Sequence, residues 1–303
     1  MNFDKKQLRN TLLLLLGALI WGTAFVAQSV GSGYVGPYTF LAARSWLACA
    51  FLIVLVLLRR GKARKADPGV PFWINGRMLL RGGVFCGIAL FAASAAQQIG
   101  IGTTSTAKAG FLTALYVVLV PVFGLFFKRK VSLPVWIAVA LSVLALYLLC
   151  IKGSFSLSPG DLLILICAVC FAVHILVIDH FTAYCDGVKL SCLQFLFAAL
   201  ISTVCMFLFE EVDFAAIWGC ILPLLYVGIF SCGVGYTLQI LAQKGSNPTV
   251  VTILLSLESV FAVIAGAIIL NQQMSAREYI GCAVMFAAVL LAQIDFPVKQ
   301  KAE

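Results

Sequence analysis

Glu258 is an acidic side chain near the middle of a long apolar stretch, ten residues after Pro248. A lone carboxylate in such surroundings must be protonated or paired, because burial away from water penalises the charged form. Either state is useful: it could bind an amine or take up a proton, and a structural pair with Arg44 is the competing account. Arg44 lies about one third of the way into another apolar stretch. Facing lipid near a bilayer centre would cost it about 2.5–3.5 kcal/mol, so its guanidinium is expected to point into the protein. Lys108, close to the end of a third stretch, can instead snorkel to the interface as an ordinary outer-leaflet lysine.

Lys108, Leu112 and Tyr116 share a helical face at four-residue spacing, with hydroxyls at Thr103 to Thr106 beside the lysine. With Arg44 they could form an outer basic vestibule that receives a carboxylate, or one that holds an internal partner. Trp21 and Gln28 are seven residues apart, and the small residues Gly17 and Ala24 fall on the same face. A large ring between small neighbours suits a cavity for an amphipathic solute; plain helix packing is the rival account of Trp21. Cys167, Phe171 and His174 occupy a comparable face further along the chain. His174 could titrate near neutral pH and couple conformation to protons, or remain neutral against a backbone carbonyl. Tyr226, Gln97, Gln98 and Gln239 add hydrogen-bonding groups.

The elements that must hold these groups are membrane helices. The chain of 303 residues is 62% hydrophobic and only 11% charged, with a mean hydropathy of +1.07. A soluble domain of that size has no way to hide so much apolar surface. Apolar runs divided by charged, glycine and proline breaks predict ten spans, near 11–30, 38–58, 81–100, 105–127, 133–151, 161–179, 190–209, 217–237, 248–270 and 279–295. The first follows Lys5, Lys6 and Arg9 and is expected to be a retained span rather than a cleaved leader.

Charge placement orients the spans. One set of connections collects Arg59, Arg60, Lys62, Arg64, Lys65, Arg77, Arg81, Lys128, Arg129, Lys130, Lys189, Lys244, Lys299 and Lys301. The other set holds Lys152 and Arg277 with Glu210, Glu211 and Asp213. The bias predicts both termini in the cytoplasm of a prokaryotic cell, with the chain spanning its inner or plasma membrane. Anionic lipid facing the basic connections accounts for the net charge of +9, so no nucleic-acid partner is expected.

An internal repeat emerges from the same stretches. Gly17–Phe25 lies over Cys167–Ile175 at an offset of 150 residues, and Ser132 with Trp136 and Ile137 lies over Ser275 with Tyr279 and Ile280 at an offset of 143. Two five-span halves, 1–152 and 153–303, follow. An odd number of spans forces the second half to enter the membrane from the opposite side, giving the inverted repeat found in secondary transporters. The expected fold class is therefore an all-α polytopic membrane protein of ten transmembrane helices in two inverted five-helix repeats.

The segment Leu16–Val26 followed by Arg44, the segment Ala107–Leu112, and the segment Leu254–Ala262 resemble corresponding parts of ten-helix proteins of the drug/metabolite transporter superfamily, EamA-like family. The resemblance covers both halves. It implies a central cavity between two four-helix sets, with the fifth and tenth spans peripheral, and export of small metabolites such as amino acids, or of toxic cations. Ser259 stands where that family often has proline, which predicts a straighter ninth span, and Asn271–Gln272 replaces a frequent glycine–glutamate pair.

Other classes fit less well. The eleven cysteines lie mostly in apolar stretches, and the pair Cys167 and Cys170 lacks the further ligands of a metal site. With two histidines and no convergent catalytic set, an enzyme is not expected. A channel would more naturally show a symmetric filter. No phosphate-binding loop accompanies the spans, so transport is expected to draw on an ion or substrate gradient. Expected partners are a small-molecule metabolite, a proton or counter-substrate, and membrane lipid, with the chain a monomer or homodimer. No cofactor is expected.

Overall fold

In the computed structural model, residues 5–66, 75–104, 106–129, 131–151, 158–269 and 274–294 are described. They form helices, ten of them long and apolar enough to cross a membrane: Lys5–Gly31, Pro37–Ala63, Gly76–Ile101, Ala109–Phe126, Leu133–Cys150, Pro159–Thr182, Gly187–Phe209, Ile221–Gln243, Pro248–Ala265 and Ala276–Gln293. Several are longer than expected from hydropathy, because an apolar run marks the change of solvent and not the end of the helix. The second helix continues to Ala66 through a basic stretch. Lys130, Lys152, Lys299, Lys301, Asn271 and Gln272 lie outside the described residues.

Local sequence starts these helices where polar caps precede apolar runs. Ser158 and Asp161 form a reciprocal capping box at the sixth span, with Pro159 at the first helical position. Asp186 accepts from the backbone N–H of Val188 and Lys189 at the seventh span, and Asn247 accepts from Thr249 at the ninth.

The second and seventh spans pack against one another along their length. At one end, Glu210, just past the seventh span, accepts from the N–H groups of Tyr38 and Thr39 at 2.7 and 2.8 Å and so caps the second. At the other end, Arg59 of the second span lies 3.7 Å from Asp186, the cap of the seventh. Each helix thus ends at the start of the other, with a capping carboxylate at each junction, an arrangement compatible with an inverted repeat. The fifth and tenth spans pack on each other.

Three spans depart from regular α-helix. The fourth is split between helices Thr106–Ala114 and Tyr116–Phe126, and the ninth between Pro248–Leu255 and Leu257–Ile269. The residues at the breaks have nearly the same backbone, φ −61° and ψ −10° at Leu115 and φ −61° and ψ −13° at Ser256. The ninth span, expected to be straighter for want of a proline at Ser259, is divided at Ser256. At the ninth-span break the Ser256 hydroxyl bonds back to Thr252 O at 2.8 Å, and Ser259 N–H reaches Ser256 O in a shorter turn. The eighth span carries a π-helix, Tyr226–Gly235, rich in glycine.

Candidate functional site

A cleft with about 730 Å³ of empty space, its mouth included, lies between the first four spans and the sixth to ninth spans. The fifth and tenth contribute nothing to its lining. Close approach of the first and ninth spans depends on Gly22, where a Cβ would come 2.5 Å from Glu258 O and 2.8 Å from Phe261 Cβ.

Arg44 is the one buried cation among the described residues, 3% exposed. Its Nη1 donates to Gln28 Oε1 at 2.6 Å and more weakly to Gln98 Oε1 at 3.4 Å. Gln98 Nε2 in turn donates to Gln28 O, tying the two glutamines together. The guanidinium carbon sits 5.8 Å from the centroid of the buried Phe40 ring, which backs the group by a cation–π contact. Arg44 Nε has no hydrogen-bond partner.

Glu258 falls in the first turn of the helix that starts at Leu257, where aligned N–H groups favour a carboxylate. It is 4% exposed, and its Oε1 accepts from Tyr116 Oη at 3.1 Å. The Arg44–Glu258 pair that competed with a ligand role for Glu258 is not formed: no ion pair joins them among the described residues. Both line the cleft, each held by neutral partners.

Aromatic rings line the same cleft. Trp21 donates through Nε1 to Ser231 O at 3.2 Å, and its ring centroid lies 4.8 Å from that of Tyr236. Gly235 makes room for that indole, since a Cβ there would lie 2.7 Å from Trp21 Nε1. Tyr236 also meets Phe195 at 5.5 Å and His174 at 6.0 Å. His174 Nε2 bonds to Gln194 Oε1 at 3.0 Å, leaving its Nδ1 without a partner. The bland expectation of a backbone carbonyl partner is replaced by a side-chain amide. Buried Gln239 likewise has an unpartnered Oε1. Such orphaned groups each cost about 1–3 kcal/mol if left dry, which a polar ligand or water would offset.

The structure brings together Trp21, Gln28, Arg44, Gln97, Tyr116, Phe171, His174 and Glu258 around one cleft. Gln97 reaches it while donating to Thr113. Lys108 belongs to a described helix, but its side chain lies outside the described ones. Tyr226 does not reach the cleft: its hydroxyl meets Thr23 Oγ1 and Ile20 O, joining the eighth span to the first. The lining residue that sequence reasoning missed is Tyr236, together with Ser94, Ser45, Thr113 and Cys232. Tyr236 stood at the expected end of the eighth span, which in fact continues to Gln243.

The EamA-like transporter family matches residues 9–151 and 158–293. A protein of Archaeoglobus fulgidus, described as an uncharacterized transporter, is 28% identical over 295 residues, covering 95% of this chain and 87% of that protein. A solved crystal structure shares the fold with a TM-score of 0.76 at 19% identity, over 94% of this chain and 96% of that one. Together with the ten apolar helices, the two family matches, which cover nearly the whole length, place this multi-pass membrane protein: the chain belongs to the EamA-like transporter family.

Proposed function

We propose that this membrane transporter is a secondary active exporter of small amphipathic metabolites, amino acids among them, working by alternating access in a prokaryotic inner membrane with both termini cytoplasmic. The observation that carries the reading is the placement of Arg44 and Glu258 in one cleft without an ion pair between them. A buried cation and a buried carboxyl that neutral residues hold apart suit a zwitterionic solute, whose carboxylate would offset the desolvation of Arg44 and whose ammonium would favour the ionised form of Glu258. The aromatic surface of Trp21, Phe171 and Tyr236 suits the apolar part of the same solute. Breaks in the fourth and ninth spans at matching positions support a site between two halves.

A second reading has its own support. Glu258 with Tyr116, Trp21 and Tyr236 nearby would also suit an organic cation, held by charge and by ring faces. Purified protein in liposomes, screened with radiolabelled solutes under imposed pH and substrate gradients and without ATP, separates the two. Movement of amino acids supports the first reading. Movement of permanent cations alone supports the second, and absence of any gradient-driven movement overturns both.

A further inference from the structure

The guanidinium of Arg44 is used on one side only. Both of its protein hydrogen bonds leave from Nη1, to Gln28 and Gln98. Nε is buried without a partner, and Nη2 makes no hydrogen bond to the described residues. The unpartnered Nε/Nη2 edge carries two parallel N–H donors, a spacing that matches the two oxygens of a planar oxyanion. No acid lies within ion-pair distance among the described residues, so a buried cation that would cost several kcal/mol in isolation awaits an anion.

Because Gln98 donates to Gln28 O while accepting from Arg44, the glutamine pair fixes which edge of the guanidinium is satisfied and which is turned free. Phe40 backs the group. Glu258 lines the same cleft, so a ligand carboxylate at Arg44 can be accompanied by an ammonium at Glu258, which a phosphate alone does not supply.

We infer that the Nε/Nη2 edge of Arg44 is the carboxylate dock of the cargo site, and that Gln28 and Gln98 are positioning residues that hold that edge open. The inference deepens the transport reading and rests on it: the cargo must carry a free carboxylate, taken at Arg44, with its ammonium at Glu258.

The test pairs amino acids of apolar, aromatic and polar side chain with their carboxamides, which keep the ammonium and lose the anion. Binding to purified protein in detergent is read by the shift in thermal unfolding, and movement is read separately in liposomes. The expected result is that acids bind and carboxamides do not. Arg44→Lys keeps the charge but loses the fork, and is expected to weaken acid binding about tenfold or more. Gln28→Leu and Gln98→Leu are expected to reduce the acid-over-carboxamide preference, whereas a merely structural role would weaken both ligands alike. The comparison on unmodified protein needs no variant to fold. Carboxamides bound as tightly as acids, unchanged acid affinity in Arg44→Lys, or no acid bound at all overturns the dock. Acids that bind without being moved would uphold the dock and sink the transport reading; equal movement of acids and carboxamides would do the reverse.

Discussion

Tyr116 and Glu258 stand just beyond the breaks in the fourth and ninth spans, 142 positions apart, and a 3.1 Å hydrogen bond joins them. The separation is close to the 143-residue offset between Ser132 and Ser275. Two interrupted helices from opposite halves of the chain thus meet through side chains at their interruptions. A carboxylate held there by one neutral donor keeps capacity for a ligand, which a full ion pair with Arg44 would have consumed.

Glu258→Gln preserves volume and hydrogen bonding but removes the negative charge. Normal membrane insertion is expected, with turnover of an ammonium-bearing cargo lowered about tenfold or more, the size of effect expected for a hydrogen bond to a charged group. Tyr116→Phe removes the donor alone and is expected to have a smaller effect in the same direction. Reconstituted proteins at matched folded abundance, assayed across a pH series, check both. Unchanged transport and pH response in Glu258→Gln would leave packing as the better account of the residue.

Gly22→Val should damage the protein through a different route. Its side chain would strike the backbone of Glu258 and the Cβ of Phe261, and overpacking of this kind costs about 1–3 kcal/mol or more. Gly61→Ala is the control, since nothing lies within 4 Å of a Cβ at that position. Thermal unfolding in detergent should show a lowered midpoint for the first and none for the second. Equal midpoints would mean that the first and ninth spans can separate without loss.

Polar residues inside apolar runs were legible in the sequence because they contrast with their surroundings. Arg44, Glu258, Gln28 and His174 all stood out in that way, and all line the cleft. Their pairings were not legible. Arg44 bonds to glutamines and not to Glu258, since which groups meet depends on depth and rotation that residue types do not encode. The break at Ser256 was equally hidden, because Ser142 and Ser202 make the same hydroxyl-to-carbonyl bond inside unbroken helices, so residue type does not mark the position. The ten spans needed none of this detail, as their apolar length alone distinguishes them.

Topology offers a test independent of transport. Arg59 meets Asp186 and Arg129 meets Asp179 at 2.6 Å, so connections after the second, fourth and sixth spans share one side of the protein. The basic bias predicts that this side is the cytoplasmic one. Single cysteines placed at Arg64 and Lys299 in a cysteine-depleted variant should react with a membrane-impermeant reagent from the cytoplasmic side only, and one at Glu211 from the exterior. Exterior labelling at position 299 would overturn the orientation, while failure at 211 alone would shift a boundary.

Tyr226 and Tyr236 lie on one span, yet the structure gives them different work. Over the ten residues Tyr226–Gly235 the backbone follows the wider π-helical turn, so the face presented before this segment does not continue in register after it. Tyr226 joins Thr23 and Ile20, whereas Tyr236, ten residues on and so on a different face, meets Trp21, His174 and Phe195 in the cleft. Tyr226→Phe should lower stability by about 1 kcal/mol through a lost hydrogen bond and leave cargo preference unchanged. Tyr236→Ala should instead alter the preference among apolar and aromatic cargoes, by removing a ring that several others contact. Competition of unlabelled solutes against one labelled cargo in liposomes, with unfolding midpoints measured alongside, distinguishes the two effects. A shifted preference in Tyr226→Phe with no shift in Tyr236→Ala would mean that the eighth span turns its Tyr226 face to the cargo.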